Sequence, residues 1–477
     1  MLQEPAKIQR ACAILADMAS KSEQRTGPPN RVWLFFIAIC VNLVGSALAG
    51  LTHSLNAPWL ALPATLVWIA WFTILFAIAV PATDKKLDRI MWLKPLAKTI
   101  IAVLGAVTAL AVIGVAVIFI LAQAGNDSQV VKSVKHAFEP ADAMALTQQS
   151  ANNLLDGKNP YTSSNIITAL GASPGAFDKM TPLFTGSFSA DFPYPTSDQL
   201  RMLWEKAVTS PGQVPPEIET HQSYPAGSFI LLAPLMALGV PDIRIAYIII
   251  ALPALAYAAW RIKPGLRIYF VLGMALSLEI WSAVAGGDTS MLYFPFLLLG
   301  WILLPRNWWI SALCMGIAIA TKQVVWYFLP FYLILVLRTG GFKKSALAAL
   351  VTAGVFAAFN LPFVFLNPSA WLASVSAPLR DNLFPEGVGL VTLVTSGVLH
   401  TTSQAVFTAL EGTTAASGLV WYYRNCRRYP HTALMLAILS LFFAWRSNWN
   451  YFYYADVVLL AAVLLETRDK PPDANQI

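Results

Sequence analysis

Apolar runs of roughly twenty residues recur from Arg31 to Glu466, separated by short polar connectors, with one long polar interruption from Gln123 to Ser223. Since a spanning helix needs roughly 20 mostly apolar residues, the pattern predicts an all-α polytopic membrane protein of about twelve transmembrane helices plus two half-helices, with a large outer loop after the third span. The runs Val32 to Leu51 and Trp59 to Val80 form a hairpin around His53. Lys85, Lys86, Arg89, Lys94 and Lys98 then place the next connector inside, so Ile100 to Gln123 crosses outward and leaves the loop outside. The segment Tyr224 to Val240 is short and broken by Pro234. If it spanned fully, the basic connectors Arg261 to Arg267, Arg338 to Lys344 and Arg424 to Arg428 would all lie outside. It is therefore read as a half-helix that dips in and returns, which also predicts a cavity under the outer surface, because non-helical backbone at depth needs protein or water around it.

With that parity, crossings follow at Ile243 to Trp260, Ile268 to Ala285, Met291 to Leu304, Trp308 to Thr321, Val324 to Leu337 and Ser345 to Phe365. Gly286 to Ser290, Lys322 and a loop from Asn367 to Gly387 then face outward. A second broken segment, Val388 to His400, precedes Gln404 to Tyr423, His431 to Trp445 and Tyr451 to Glu466. The pattern divides the chain into a cytoplasmic tail (1–31), an N-terminal hairpin with its basic connector (32–98), a transmembrane core (99–466) holding the loop 124–223, and a second cytoplasmic tail (467–477). Met1 to Asn30 has no apolar stretch before a small-residue cleavage site, so no signal peptide is expected to be removed.

Composition sharpens this picture. Hydrophobic residues make up 57% of 477 positions and charged ones 12%, which excludes a soluble chain of this length. The net charge of +7 reflects loop asymmetry, not a nucleic-acid footprint. The large loop reverses the sign, with ten Asp and Glu against six Lys and Arg. Cys12, Cys40, Cys314 and Cys426 all lie outside it, so neither a disulfide framework nor a Cys-based metal site is expected there. Walker-type phosphate-binding loops and HExxH are missing, which removes ATP-driven transport and zinc proteolysis as leading classes.

Three features of the loop carry chemistry: Asp142 opening an amphipathic stretch to Leu155, the turn Gly157 to Tyr161, and Tyr224-Pro225-Ala226 at its end. Downstream stand Ala285-Gly-Gly-Asp-Thr-Ser290, Met315-Gly-Ile-Ala-Ile-Ala-Thr-Lys322, and Trp445 to Tyr454. In this order the motifs resemble those of the integral-membrane GT-C superfamily of glycosyltransferases, most closely its polyprenol-phosphate-mannose-dependent mannosyltransferase branch. The resemblance runs from about Ile100 to Glu466 and leaves the first hairpin outside. Ala226 stands where that branch has a second Pro, Asp288 and Ser290 where Gln and Asn are common, and Ala143-Met144 where an aromatic usually follows the Asp.

The resemblance implies transfer of a sugar from a polyprenyl-phosphate donor to a glycolipid or envelope-glycan acceptor, outside the cytoplasmic membrane. Such a reaction needs a carboxylate base for the acceptor proton, assigned to Asp142, with Asp127 as runner-up. A helix-capping role for Asp142 is compatible with it. The phosphate leaving group needs cations, for which Lys322, Arg380 and Arg446 are candidates; a lysine snorkelling to the interface is the plain alternative for Lys322. His221, Tyr224, Asp288 and Tyr161 are candidate substrate contacts, and Asp242 and Arg244 read as a rim pair. No cofactor is assigned; a divalent ion between Asp142, Asp191 and Asp288 stays open, although carboxylates scattered in loops seldom meet. The competing function is a secondary transporter or flippase working through Glu279, an ionisable residue inside a span.

Overall fold

The computed structural model describes residues 27–126, 128–171, 176–210, 214–401 and 403–469. Asp127, Cys12 and most of the N-terminal tail lie outside the described residues. The apolar runs are helices: α1 (Asn30–Ser54), α2 (Ala61–Ala79), α3 (Leu93–Gln123), then α4 (Asp142–Leu155) and α5 (Ser197–Thr209) within the large loop. Beyond it come α6 (Ile243–Arg261), α7 (Arg267–Leu276), α8 (Leu278–Gly286), α9 (Ser290–Leu303), α10 (Trp308–Ile319) and α11 (Phe328–Leu366). The chain closes with α12 (Pro368–Arg380), α13 (Gln404–Asn425), α14 (Thr432–Phe442) and α15 (Tyr453–Asp469). By length and composition five of the described helices can cross a membrane, or six if the bent pair α7 and α8 counts as one. Shorter apolar helices such as α9, α10 and α14 complete the bundle.

Several expectations change in detail. The run Ile268 to Ala285 is bent by 51° between α7 and α8, where Ser277 leaves helical geometry (ψ 77°). The predicted loop Asn367 to Gly387 contains α12, started by Pro368 behind Asn367, whose side chain accepts from Ala370 N. α11 is two helical arms joined at a kink, where Gly341 sits at φ 81°, ψ 174°. Ser345 Oγ donates to Leu333 O at 3.2 Å, whereas twelve residues of straight helix rise about 18 Å. The chain therefore folds back at Gly341, and the two expected crossings are the two arms of α11.

The segment Tyr224 to Val240 holds two short helical turns, Gly227–Ile230 and Ala233–Ala237. Their combined stretch of about eleven residues rises roughly 16 Å, half a hydrocarbon core. Gly227 N donates to Ala320 O at 2.8 Å, and a side chain on Gly227 would overlap that carbonyl. Glycine is thus what lets this segment seat against the end of α10.

The large loop is folded on a core of its own, with Leu146, Ile167, Leu170, Leu200, Leu203 and Trp204 packed together. Phe384, from beyond α12, enters the same core.

The first hairpin is not peripheral. Trp68 and Trp71 of α2 are fully buried and pack on Phe452 at 5.2 and 6.4 Å between ring centroids. Arg31, 2% exposed, pairs with Asp84 at 2.9 Å and Glu466 at 2.8 Å. α3 stands apart, burying Leu93, Ala97 and Leu104 while Leu110, Ile113 and Ile120 are exposed, as expected of a helix solvated by lipid.

Candidate active site

The site is assembled where the loop domain meets the ends of α8, α9 and α10. Ala141 occupies the capping position in extended geometry and Asp142 is the first residue of α4, so Asp142 is not the helix cap. Its carboxylate is nonetheless fixed locally. Oδ1 accepts from Ala143 N at 2.5 Å, and Oδ2 accepts from Thr181 Oγ1. Met144 fits against Gly287, whose φ of 73° and lack of a side chain permit the approach. That contact brings the start of α4 to the turn holding Asp288.

Asp288 Oδ1 accepts from Ser290 N at 2.7 Å, turning the chain into α9. Lys322, 5% exposed, aims inward instead of snorkelling. Its Nζ lies 3.5 Å from Asp288 Oδ1, 3.2 Å from Ser290 Oγ and 5.1 Å from the centre of the Tyr224 ring. A desolvated ammonium between a carboxylate and an aromatic face is held by both attractions.

Tyr224 is set by its backbone. Tyr161 OH donates to Tyr224 O at 3.0 Å, and Gln323 Nε2 donates to Ser223 O at 2.6 Å. Tyr161 is 2% exposed, with Phe229 and Phe363 at 5.6 Å from its ring. It positions Tyr224 from below the surface instead of presenting itself to a ligand.

Arg446 arrives from the far end of the chain. Strand β1 (Glu386–Gly387) pairs in parallel with β2 (Arg446–Ser447), and the Arg446 guanidinium ion-pairs with Glu386. Gly387, at φ 127°, leaves room for Ser447 O that any side chain would fill. Burial works against the Arg446 charge, but Glu386, Tyr451, Glu219 and Tyr194 together raise its pKa further. Burial raises the pKa of Asp142, opposed by the bonds from Thr181 and Ala143 and by the field of Arg446. Glu219 is pushed up to about 7, chiefly by burial and then by the negative charge of Asp142, with Arg446 pulling the other way.

The structure thus brings together Asp142, Tyr224, Asp288, Lys322 and Arg446. It leaves Tyr161 behind Tyr224 and does not bring in Arg380 or His221. Arg380 is exposed at the end of α12, and its charge acts on neighbouring Asp381. His221 is exposed, with Nδ1 2.9 Å from Thr220 Oγ1. Asp242 and Arg244 pair at 2.5 Å, and Arg244 also donates to Phe138 O and Ala285 O at 2.9 Å each. Among the described residues no group of three or more His, Cys, Asp or Glu is placed to hold a metal, so Asp142, Asp191 and Asp288 do not converge on an ion. Glu219, Glu386, Tyr451 and Thr181 belong to the cluster and were not singled out by sequence. The nearest signal was the acidic excess of the loop.

Glu219 gives the site a pH signature. Its ordinary value is 4.5 and its folded value about 7, so across this window the folded chain retains a proton that the unfolded chain has released. The contribution of Glu219 to stability therefore falls as pH rises from 4.5 to about 7. Thermal unfolding of Glu219→Gln in detergent is expected to show a shallower decline over that range than wild type; parallel curves would remove Glu219 as the source.

Fold and cluster together define a helical membrane protein with a desolvated, mixed-charge site beneath a folded loop. Residues 223–446 match the model of glycosyltransferase family 87, which indicates a glycosyltransferase activity. The matched region contains Tyr224, Asp288, Lys322, Glu386 and Arg446, while Asp142 and Glu219 precede it. No curated protein and no solved structure matches the chain.

Proposed function

We propose that the protein transfers a sugar, mannose in this reading, from a polyprenyl-phosphate donor to a glycolipid or envelope-glycan acceptor on the extracytoplasmic face of the cytoplasmic membrane. The observation that carries the proposal is a buried cluster, drawn from segments far apart in sequence, in which Asp142 sits in the field of Arg446 and Lys322 is paired with Asp288. The acceptor hydroxyl attacks the anomeric carbon and gives its proton to Asp142. The bond from that carbon to the phosphate oxygen breaks, its electron pair stays on the phosphate, and Lys322 and Arg446 stabilise the charge that develops there. Attack opposite the leaving group inverts the anomeric centre.

A raised pKa suits Asp142 to the task, because a stronger base takes the proton with more driving force. Access for a lipid-borne donor is supported by a cavity of about 430 Å³ between α3 and α6, walled by Phe119, Ile245, Ile248 and Val284. Ala285 lines this cavity three residues before Asp288. The orientation rests on charge: Arg261, Lys344 and Arg427 share the face opposite the loop, and basic residues favour the cytoplasmic side.

The transporter reading rests on Glu279, whose carboxylate is already engaged. Ser46 Oγ donates to Oε1 at 2.6 Å, and the Asn42 amide, turned to donate, lies 2.7 and 2.5 Å from its two oxygens. These bonds tie α1 to α8 and give Glu279 a packing role.

The direct test supplies purified protein in nanodiscs with labelled mannosyl polyprenyl phosphate or a labelled nucleotide sugar, together with an extract of envelope lipids. Label is expected to move into a new lipid or glycan from the polyprenyl donor alone. Transfer from the nucleotide sugar alone would overturn the donor assignment.

A further inference from the structure

A second cavity, of about 450 Å³, lies at the other end of the same helices that build the candidate active site. α9 begins at Ser290 in the site and ends at Trp301 to Leu304 in this cavity, which its fourteen residues place about 20 Å away. The remaining walls come from the end of α6, the fold-back of α11, the connector from α13 to α14 and the end of α15.

Its lining has two parts. Ile302, Leu335, Val336 and Leu465 form an apolar wall, while Arg261, Lys344 and Arg427 bring three positive charges against the one carboxylate of Glu466. Glu466 is itself taken by Arg31 at 2.8 Å and by His431 Nε2 at 3.1 Å. His431 Nδ1 accepts from Trp301 Nε1 at 3.1 Å, which puts the ring proton on Nε2, toward Glu466. The formal balance of the lining is positive, and Lys344 and Arg427 are its more accessible members.

Position names the occupant. Trp260, Phe342 and Tyr423 are 65, 77 and 46% exposed on the elements that form the mouth. Exposed aromatics beside Lys and Arg mark the headgroup level of a bilayer. A cavity there with cationic groups and an aliphatic wall is complementary to a molecule carrying both a phosphate and a hydrocarbon chain.

We propose that this cavity binds an anionic membrane lipid from the leaflet opposite the active site, its phosphate held by Lys344 and Arg427 and the first carbons of its chain against Leu335, Val336 and Leu465. The site is independent of the sugar-transfer reading and would stand if that reading failed.

Native mass spectrometry of the delipidated full chain, titrated with phosphatidylglycerol, phosphatidylcholine or inorganic phosphate, tests the proposal. Wild type is expected to hold phosphatidylglycerol at least about tenfold more tightly than phosphatidylcholine, with no competition from inorganic phosphate, since two charge-assisted contacts and an apolar wall act together. Lys344→Gln with Arg427→Gln is expected to erase the preference. Thr339→Trp, at an exposed position on the cavity lining, is expected to lower occupancy with the charges intact, and it decides the matter if the double variant does not fold. Equal binding of the two lipids, a preference that survives both variants, or displacement by inorganic phosphate would each overturn the proposal.

Discussion

Asp142→Asn is expected to lower turnover about 10³-fold while leaving donor affinity and the fold intact, the scale on which a positioned general base contributes. The amide keeps the size of the side chain and an acceptor for Ala143 N, so the start of α4 has no reason to move. What it loses is the ability to take a proton. The pH profile carries the same information. Because burial raises the pKa of Asp142 above its ordinary 3.8, kcat/KM should fall on the acid side at a pH above the usual aspartate range, where the protonated acid can no longer accept the acceptor's proton. Thr181 donates to the charged carboxylate and lowers its pKa, so Thr181→Val should move this limb to higher pH with turnover at alkaline pH largely preserved. Full activity in Asp142→Asn, or an acid limb indifferent to Thr181, would transfer the base role elsewhere, and Glu219, within the field of Asp142, is the next candidate.

The second large effect concerns Lys322. Replacing it with Met removes a cation from the place where phosphate charge develops, and kcat/KM is expected to drop about 10² to 10³-fold, or about 3 to 4 kcal/mol. The same change strands Asp288, whose side chain is 9% exposed, and breaking a buried pair costs about 3–5 kcal/mol of stability. Stability and activity can be separated with a second substitution. Asp288→Asn together with Lys322→Met should recover most of the thermal stability, because no charge is left unpaired, yet recover none of the turnover. Melting curves in detergent combined with steady-state transfer rates distinguish the two; a double variant that regains activity would make Lys322 merely a structural partner of Asp288.

These residues differ in how visible they were before folding. Asp142 announced itself by opening an amphipathic stretch after a proline, and Lys322 by lying between two apolar runs against the charge bias. The break between Gly227–Ile230 and Ala233–Ala237 was legible in Pro234, which opens the second helical turn. Glu386 was not legible: it is recruited by a two-residue parallel pairing with Arg446, too short to leave any alternation in the sequence. Glu219 was equally silent, since its raised pKa comes first from burial and then from the charges of Asp142 and Asp381, against the pull of Arg446, all set by segments distant along the chain. Arg380 and His221 looked plausible as isolated polar residues in outer segments, but a loop position does not specify which way a side chain faces, and both are exposed. In α12 the signal was present and undervalued, since Asn367 followed by Pro368 is a helix start. The role of α1 and α2 was hidden for a different reason: the contacts of Trp68 and Trp71 with Phe452, and of Arg31 with Glu466, join the two ends of the chain, and no local pattern encodes them.

The central claim is that one cleft holds the donor phosphate between Lys322 and Arg446 with the anomeric carbon presented toward Asp142. A cryo-EM structure with a non-transferable phosphonate analogue of mannosyl polyprenyl phosphate tests this most directly. The account predicts the phosphonate within hydrogen-bonding distance of both cations and the sugar on the Asp142 side, with the prenyl chain leaving between α3 and α6. Density for the phosphonate beside Glu279, or on the face that carries Lys344 and Arg427, with the Asp142 cleft empty, would contradict it.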